Sequence, residues 1–436
     1  MAYTEMISYN KKFVKSIGDK RILILGFGRE GHGTFLFLRK IFPHKTFGIA
    51  DQNPKLVRLN LGRLETVRLH LGKRYLGAIK NYDVIIKSPG IAPKLIAPFV
   101  SKKQRVTSQT EIFFELCSGT IIGVTGTKGK STTTSMIYEI LRDAGFRAHL
   151  VGNIGKPALS SLASAGPNDI FVYELSSHQL YGLKKSPHVA VFLNIYPEHL
   201  DYYRNFAEYG RAKANICLWQ NKDDYLIFNA KDRLVCKFAQ KSKAHKISVT
   251  GKYYGLDKAA AREAGRISGV SNDSIEKTLK NFQYLPHRLE LVGVFQGITF
   301  YNDSLATIPQ ATIAALDLLG SRVETLIAGG FDRGIDFRPL AEGIWRSRVK
   351  TVILFPESGK RIIKEVTASE KGGGIKYFAA RNMREAISLA FLHTKTGKIC
   401  LLSPASPSFG LFRDYRDRGN AYKRAVKSFS KKPRRM

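Results

Sequence analysis

The sequence contains no apolar run that approaches the roughly 20 residues needed to cross a bilayer as a helix. Its first twenty residues have no apolar core followed by a cleavage signal, so we expect a protein that is not exported. The 436 residues include only four cysteines, which are far apart and form no Cys-x-x-Cys pair. This spacing argues against disulfides and zinc ligands and favours free thiols in the reducing cytoplasm.

Acidic residues are also scarce, since 35 Asp and Glu stand against 70 Lys and Arg for a formal net charge of +35. Such an excess raises the hypothesis of a nucleic-acid partner. The cations are spread along the whole chain, however, and the dense cluster is confined to residues 427–435. Acidic small substrates or a generally basic proteome explain the remainder equally well, so we expect no nucleic-acid partner. The length predicts two or three domains, and 44% apolar residues supply an ample core.

The most informative segment is a glycine-rich loop that follows the apolar run 121–124 and precedes apolar positions at helical spacing, ending before Gly145. Strand, glycine loop and helix together predict a phosphate site, because loop N–H groups and the helix N-terminus both favour anions. Lys130 would reach the β- and γ-phosphates of ATP, and the Ser131 hydroxyl would face Mg²⁺. One departure from the strict pattern is Val124, which stands where the first glycine is expected.

A second nucleotide signature lies near the N-terminus. The apolar strand 21–25 runs into Gly26-Phe27-Gly28-Arg29-Glu30-Gly31, and the next strand, 46–50, ends at Asp51. This pattern is typical of dinucleotide-binding folds, although any nucleotide diphosphate could occupy such a turn. A further strand, 82–87, ends at Ser88-Pro89-Gly90 and would face the same crevice. Two nucleotide sites in one chain indicate a transfer between ATP and a group carried by another nucleotide.

The middle of the chain offers candidate metal ligands at strand ends. The strand 169–173 leads to Glu174, and the strand 188–193 leads to Glu198 and His199. A carboxylate in this position beside a phosphate loop suits Mg²⁺. Lys213 lies in an alanine-rich helical stretch, where a lysine is usually a solvated residue, so spacing alone does not single it out. Strands at 325–328, 349–355 and 398–402, with a helix at 383–391, indicate another α/β sheet.

Taken together in chain order, these motifs resemble the Mur ligases over residues 21–423. The segments that carry the resemblance are Gly126–Thr132, Gly152–Gly155, Glu174–Leu180, Glu198–Asp201, Ala212-Lys213, Pro286–Arg288, Asn302–Ser304, Gly329-Gly330 with Arg333-Gly334 and Asp336-Phe337, and Leu402–Ala405.

The resemblance implies an α/β protein of three domains. These are a Rossmann-like UDP-binding domain (1–108), a central P-loop-type ATPase domain with a parallel sheet (109–312) and a Rossmann-like amino-acid-binding domain (313–436). It also implies a monomeric, cytoplasmic enzyme that uses ATP and Mg²⁺ to add D-glutamate to UDP-N-acetylmuramoyl-L-alanine through an acyl phosphate. Three alternatives stay open: another Mur or folylpolyglutamate-type ligase, a basic P-loop ATPase acting on nucleic acid, and a non-catalytic nucleotide-binding protein.

The same resemblance assigns roles to individual positions. Lys130, His199 and a carbamylated Lys213 are expected to be catalytic. The expected ATP contacts are Gly126, Thr127, Lys128, Gly129, Lys130, Ser131, Thr132, Asn302, Asp303 and Arg333. Uridine diphosphate is expected on Gly28, Arg29, Asp51, Ser88 and Gly90, the muramoyl group on Asn153, and D-glutamate on Ser408, Phe409 and Tyr415. The expected ligands of two Mg²⁺ ions are Ser131, Glu174, His199 and Lys213.

Several positions depart from the family pattern. His178 stands where many members have Phe, Tyr196-Pro197 replaces the usual Thr-x, and Leu305 and Ile308 stand where Lys and Asn are frequent. These departures argue against transferring the family's residue roles to those individual positions, and they do not affect the expected class of reaction. Arg413, Arg416 and Arg418 give a local basic excess that would suit a dicarboxylate, although a solvated helix face explains it equally well.

Overall fold

The computed structural model describes residues 11–58, 66–162, 165–199, 202–368 and 374–430. Residues 200–201 of the Glu-His segment and residues 431–435 of the basic C-terminal segment lie outside the described residues. The chain divides into two compact units, Met1–Phe282 and Gln283–Met436. Within the described residues, no helix is long and apolar enough to span a bilayer.

The first sheet has five parallel strands in the order β3-β2-β1-β4-β5. Its central strand is buried at all four positions, as is typical of parallel sheets covered on both faces. The strands are β1 (Ile22–Leu25), β2 (Phe47–Asp51), β3 (Val67–Leu71), β4 (Val84–Lys87) and β5 (Arg105–Thr107). The accompanying helices are α1 (Lys11–Ile17), α2 (Arg29–Ile41), α3 (Pro93–Ile96) and α4 (Gln109–Leu116), with 3₁₀ turns at Pro54–Arg58 and Tyr75–Asn81.

The second sheet has six parallel strands in the order β11-β10-β9-β6-β8-β7. Its strands are β6 (Thr120–Thr125), β7 (Ala148–Gly152), β8 (Ile170–Glu174), β9 (Val189–Phe192), β10 (Tyr225–Asn229) and β11 (His245–Val249). Its helices are α5 (Lys130–Asp143), α6 (Ala158–Ser161), α7 (Ser177–Leu180), α8 (Phe206–Ala214), α9 (Arg233–Ala239), α10 (Tyr254–Ile267) and α11 (Asn272–Asn281). Gly145 follows α5 at φ 86°, the left-handed conformation that a glycine after a helix end adopts at little cost.

This strand order gathers the predicted motifs at one edge of the second sheet. Strand β6, which leads into the glycine loop, lies between β8 and β9. The carboxyl ends of parallel strands meet at one sheet edge, where open α/β sheets bind ligands. Glu174 at the end of β8 and the segment after β9 are therefore neighbours of the loop, and Gly152 at the end of β7 lies one strand further away, beside Glu174.

The third sheet, which forms the second unit, has the order β12-β13-β17-β14-β15-β16 and is parallel except for the β12–β13 hairpin. Its strands are β12 (Glu290–Phe295), β13 (Ile298–Asn302), β14 (Val323–Gly330), β15 (Thr351–Glu357), β16 (Lys376–Ala379) and β17 (Ile399–Leu402). Its helices are α12 (Pro309–Leu319), α13 (Arg338–Arg346), α14 (Ser358–Thr367), α15 (Met383–His393) and α16 (Tyr415–Phe429), with a 3₁₀ turn at Gly320–Arg322.

The structure confirms the α/β class with parallel sheets. The last domain limit was expected at 312, whereas the chain divides between Phe282 and Gln283 because the β12–β13 hairpin already belongs to the third sheet. Gln296 and Gly297 turn this hairpin with φ of 50° and 75°, as a tight two-residue hairpin turn requires.

Candidate active site

The glycine loop between β6 and α5 is held by the segment that follows β9. The backbone N–H of Thr127 donates to the carbonyl of Asn194 at 2.9 Å, and that of Lys128 donates to the Asn194 side chain at 2.8 Å. Gly129 precedes α5 at φ 85°, and a Cβ atom there would lie 2.3 Å from Asp257 Oδ1. Both the backbone conformation and the lack of space therefore require glycine at 129.

Lys130 folds back over this loop. Its Nζ donates to the carbonyl oxygens of Gly126 and Thr127 at 2.8 and 3.0 Å. Lys128 points elsewhere, since its Nζ pairs with Glu198 Oε1 at 2.9 Å. Although burial raises the pKa of Glu198, the Lys128 charge and hydrogen bond outweigh it, and the pKa is lowered overall. Glu198 is therefore an anion that holds Lys128, the first lysine of the loop.

Lys213 is buried against the same loop, with only 1% of the residue exposed. Its Nζ donates to the Gly126 carbonyl at 2.8 Å and lies 5.0 Å from the centre of the Tyr209 ring. Burial lowers the pKa of Lys213 well below its ordinary value, and the nearby charges of Lys130 and Lys128 lower it further. This environment favours the neutral amine, which is a nucleophile.

A cavity of about 330 Å³ opens beside the loop. It brings together all three residues expected to be catalytic, Lys130, His199 and Lys213. The His178 ring lies 4.8 Å from that of His199 and 4.1 Å from that of Tyr202, centre to centre. The full lining consists of Pro89, Gly90, Lys130, Asn153, Ser176, Ser177, His178, Glu198, His199, Tyr209 and Lys213. We call this space the catalytic cavity.

Glu174 and Ser131, two expected magnesium ligands, are buried and do not line the catalytic cavity. Glu174 acts electrostatically on Lys213, and its Oε2 atom is buried without a hydrogen-bond partner among the described residues. Within those residues, no three His, Cys, Asp or Glu side chains form a group able to hold a metal by themselves. A cation here would therefore need oxygen ligands from outside this set as well.

A larger cavity, of about 540 Å³, lies at the carboxyl end of the first sheet. It contains every residue expected to bind the uridine diphosphate and the muramoyl group. Its lining consists of Gly26, Gly28, Arg29, Glu30, Asp51, Gln52, Tyr75, Ser88, Pro89, Gly90, Ile91, Leu95, Gly152 and Asn153. Pro89, Gly90 and Asn153 also line the catalytic cavity, so the two spaces share a wall. We call the larger space the nucleotide cavity.

Two residues of the nucleotide cavity that are expected to bind uridine diphosphate, Asp51 and Ser88, already have hydrogen-bond partners within the protein. The Asp51 carboxylate accepts the Phe27 and Asn53 N–H groups at 2.7 and 2.8 Å, and Ser88 Oγ donates to the Gly26 carbonyl at 2.7 Å. These bonds shape the glycine turn after β1, where Gly26 has φ 86°.

Arg29 connects the first helix of the nucleotide cavity to the second sheet. Its guanidinium donates to the carbonyl oxygens of Gly152, Asn153 and Gly155, which form the turn after β7. The turn that carries Asn153 is therefore fixed by a residue that was expected to contact the diphosphate. Of its five N–H donors, Arg29 commits three to these carbonyls, one from Nη1 and two from Nη2.

In the second unit, Asn302 and Asp303 are buried and internally bonded. Asn302 Nδ2 lies 3.0 Å from His287 Nδ1 and donates to Glu290 Oε2 at 2.9 Å. Asp303 accepts the Ser403 hydroxyl at 2.8 Å, and burial raises its pKa to about 7. The predicted contacts of both residues with ATP stay predictions.

Arg418 corrects one expectation. It is neither a solvated residue nor an exposed ligand for a dicarboxylate, because the whole residue is buried. Its guanidinium donates to Ser304 Oγ and O at 3.0 and 2.8 Å and to the Ser406 carbonyl at 3.0 Å. Burial lowers the pKa of Arg418 to about 9. Arg418 therefore holds the Ser304 and Ser406 segments together.

The other predicted residues of the second unit differ in exposure. The Arg333 guanidinium lies 5.8 Å from the centre of the Phe409 ring, and Phe409 is 48% exposed. Ser408 is buried, whereas Tyr415 at the start of α16 is partly exposed, with its ring 6.0 Å from that of His287. The assignment of Ser408, Phe409 and Tyr415 to D-glutamate stays a prediction.

Two features of the cavities were not found from the sequence. Glu198 was seen only as part of a motif, and its pairing with Lys128 joins residues 70 positions apart. Glu30 was seen only as a spacer in the glycine turn, yet it lines the nucleotide cavity and accepts a bond from Gln179, 149 positions away. The signal that could have pointed to Glu30 is its charge, since an acid in a diphosphate turn is unexpected.

Comparison with known proteins identifies the class. A model of the Mur ligase middle domain matches residues 124–302, and a model of the Mur ligase glutamate ligase domain matches residues 287–406. A protein of Acetivibrio thermocellus is 32% identical over 458 residues, covering 95% of this chain and 98% of that protein. The chain therefore belongs to the Mur ligase family. That relative is a UDP-N-acetylmuramoylalanine–D-glutamate ligase, as is a relative from Clostridium acetobutylicum that is 33% identical over 95% of this chain and 98% of its own.

Solved structures show the same fold at lower identity. A pseudomurein peptide ligase type C from Methanothermus fervidus matches with a TM-score of 0.56 and 16% identity, over 94% of this chain and 99% of that chain. The MurF ligase from Thermotoga maritima, solved in complex with ADP, matches with a TM-score of 0.57 and 15% identity, over 94% and 96% of the two chains.

Proposed function

We propose that this chain is an ATP-dependent amide ligase that joins D-glutamate to the L-alanine carboxylate of UDP-N-acetylmuramoyl-L-alanine in peptidoglycan precursor synthesis. The observation that carries the proposal is the wall shared by the two cavities, formed by Pro89, Gly90 and Asn153. A nucleotide-linked acceptor bound in the larger cavity would extend its carboxylate past this wall toward Lys130. The nearly full-length likeness to ligases of that name supports the same substrates.

Within this proposal, the glycine loop binds the phosphates of ATP. The loop N–H groups and the start of α5 favour anions, and Lys130 would leave the Gly126 and Thr127 carbonyls to reach the transferred phosphoryl group. Lys128 would stay with Glu198 until phosphate binds. The three-domain division with the loop in a central ATPase domain is part of this proposal.

The residues present fit magnesium. The Oε2 atom of Glu174 is a buried carboxylate oxygen without a hydrogen-bond partner among the described residues, and Mg²⁺ typically combines one or two carboxylates with substrate phosphates. Ser131 and Glu174 would hold one ion, and His199 with a carbamylated Lys213 would hold a second. Bound there, Mg²⁺ would supply charge neutralisation for phosphoryl transfer.

Lys213 is suited to carbamylation because its amine is buried, and the pKa is lowered well below the ordinary value. Addition of CO₂ to the neutral nitrogen, with loss of one proton, converts the neutral amine into an anion with two oxygens. The positive charges of Lys130 and Lys128, which disfavour an ammonium group at this position, would stabilise that anion.

The reaction follows from this arrangement. An oxygen of the acceptor carboxylate attacks the γ-phosphorus of ATP. The bond between that phosphorus and the oxygen bridging it to the β-phosphate breaks, so ADP departs and the carboxylate becomes an acyl phosphate. The D-glutamate amine then attacks the acyl carbon, loses a proton, and inorganic phosphate departs. Lys130 would stabilise the charge on the transferred group, which is where such catalysis gains most of its rate. We assign Ser408, Phe409 and Tyr415 to the amino acid.

The test is phosphate release from ATP with a series of amino acids, each with and without the UDP-linked acceptor. We expect release only when D-glutamate, the acceptor and Mg²⁺ are present together. Release with L-alanine or a diamino acid instead would assign the chain to another branch of the family. Release stimulated by DNA or RNA would contradict the ligase proposal. We propose that the protein is cytoplasmic and monomeric. Light scattering of the purified protein would check that it is a monomer.

A further inference from the structure

Glu30 lines the nucleotide cavity and is not explained by its role in the fold. It lies in the first turn of α2, and its Oε1 atom accepts a hydrogen bond from Gln179 Nε2 at 2.7 Å. Its Oε2 atom is buried and has no hydrogen-bond partner among the described residues. A buried carboxylate oxygen without a partner is costly, and in a residue that lines a cavity it is a sign that a ligand supplies the missing donor.

The partners around Glu30 fix this orientation. The Gln179 amide is held by a capping box, in which its Oε1 accepts the Ser176 N–H at 2.8 Å, so its nitrogen must face Glu30. The nearby cations are committed elsewhere, since Arg29 donates to carbonyls of the turn after β7. Lys87 Nζ donates to the Ser88 and Ile91 carbonyls at 3.1 and 2.8 Å. Neither cation therefore covers Oε2.

Glu30 also lies on the side of the nucleotide cavity that adjoins the catalytic cavity. Its partner Gln179 belongs to α7, and the adjacent Ser176, Ser177 and His178 line the catalytic cavity. A diphosphate offers only acceptor oxygens and negative charge, so it is a poor partner for a carboxylate. A sugar hydroxyl or an amide N–H is the matching donor, and an acceptor substrate carries both between its diphosphate and its carboxylate.

We propose that Glu30 is a specificity-determining residue whose Oε2 accepts a hydrogen bond from a hydroxyl or amide N–H of the sugar–peptide part of the nucleotide substrate. This inference rests on the proposed function for the identity of the substrate. It adds a residue that discriminates the acceptor from free uridine nucleotides. Burial raises the pKa of Glu30, and the opposite effects of Gln179, Arg29 and Lys87 offset this only in part, so the pKa is raised overall.

The test is calorimetric binding to the full-length protein of three ligands: UDP, UDP-N-acetylglucosamine and UDP-N-acetylmuramoyl-L-alanine. Glu30→Gln keeps an oxygen for Gln179 and replaces Oε2 by an NH₂ group, with almost no change in shape. A hydrogen bond to a charged group predicts about a tenfold to hundredfold loss of affinity for the full substrate, with UDP affinity unchanged. A similar loss for UDP-N-acetylglucosamine would place the donor on the sugar, and its absence would place the donor on the lactoyl-alanine amide.

Glu115→Gln is the matched control, because Glu115 pairs with Arg105 at 2.7 Å and lines neither cavity. It should bind all three ligands as the wild type does. Equal affinities of Glu30→Gln and wild type for the full substrate would overturn the inference, as expected if only water meets Oε2. An equal loss for UDP would also overturn it. Failure of the wild type to bind the full substrate would refute the proposed function instead, so the two failures are distinguishable.

Discussion

Lys213→Met separates the chemical role of the buried lysine from its structural role. Methionine has a similar length and no charge, so it fills the space without needing the Gly126 carbonyl that now accepts Nζ at 2.8 Å. The lost hydrogen bond costs about 1 kcal/mol, whereas removing the amine relieves the cost of its lowered pKa, about 1.4 kcal/mol for each pH unit of the lowering that lies above pH 7. We therefore expect the variant to be at least as stable as the wild type at pH 7. Turnover should fall about a hundredfold or more, as when a preorganised electrostatic group is removed.

The same variant has a characteristic pH dependence. Because the folded-state pKa of Lys213 is lowered below that of the unfolded chain, the unfolded chain binds the extra proton between these two values. Stability of the wild type therefore rises with pH across this window, by about 1.4 kcal/mol per pH unit relative to Lys213→Met. Below the folded-state pKa and above the ordinary lysine value, the difference should be constant.

The assay is urea unfolding of both proteins between pH 7 and 9.5 in buffers free of carbon dioxide. Lys243→Met, which removes an exposed lysine of the same unit, is the activity control and should retain full turnover. Adding bicarbonate should stabilise only proteins that retain Lys213, and a short carboxylate should partly restore turnover to the variant. Parallel stability curves for wild type and Lys213→Met would show that the folded protein keeps an ammonium group there, and undiminished turnover would refute the catalytic role.

Three further outcomes are expected. Lys130→Ala should lower turnover by orders of magnitude while calorimetry shows unchanged affinity for the UDP-linked acceptor, and normal turnover would remove Lys130 from the mechanism. Gly129→Ala should cost more than about 1 kcal/mol of stability and weaken ATP binding, because its φ of 85° and the nearby Asp257 leave no room for Cβ, and a melting temperature equal to that of the wild type would contradict this. Arg418→Lys should lower the free energy of unfolding of the second unit by about 3 kcal/mol, since a lysine cannot make its three bonds to Ser304 and Ser406, and urea unfolding with no loss would show those bonds to be dispensable.

Local patterns in the sequence predicted much of the first unit. The glycine loop, the start of α5 and its end before Gly145 each follow from residues within one turn, so a single stretch of sequence contains the whole signal. The carboxyl-end positions of Glu174 and Asp51 follow from strand patterns and the rule that parallel strands share an edge.

The sequence alone could not show which residues far apart along the chain come into contact. An alanine-rich helix gives the same pattern whether its lysine faces water or a buried carbonyl, so the burial of Lys213 depends on Gly126, 87 positions away. Arg418 shows the same problem in a basic helix, because its partner Ser304 lies 114 positions earlier. The β12–β13 hairpin was missed because its strands are partly exposed and lack the continuous apolar run of the other sheets.

The wall of Pro89, Gly90 and Asn153 has a consequence for the length of the molecules that this protein can process. Both cavities belong to one compact unit, so under the proposed function the protein, rather than the ligand, sets the distance between the bound nucleotide and the reacting carboxylate. An acceptor with one linker atom more or fewer would occupy the first space and yet present its acid out of line with the phosphoryl donor. The first unit thus selects ligands by length. A bisubstrate inhibitor would have to match the distance between the two cavities before the chemistry of its end groups could affect its affinity.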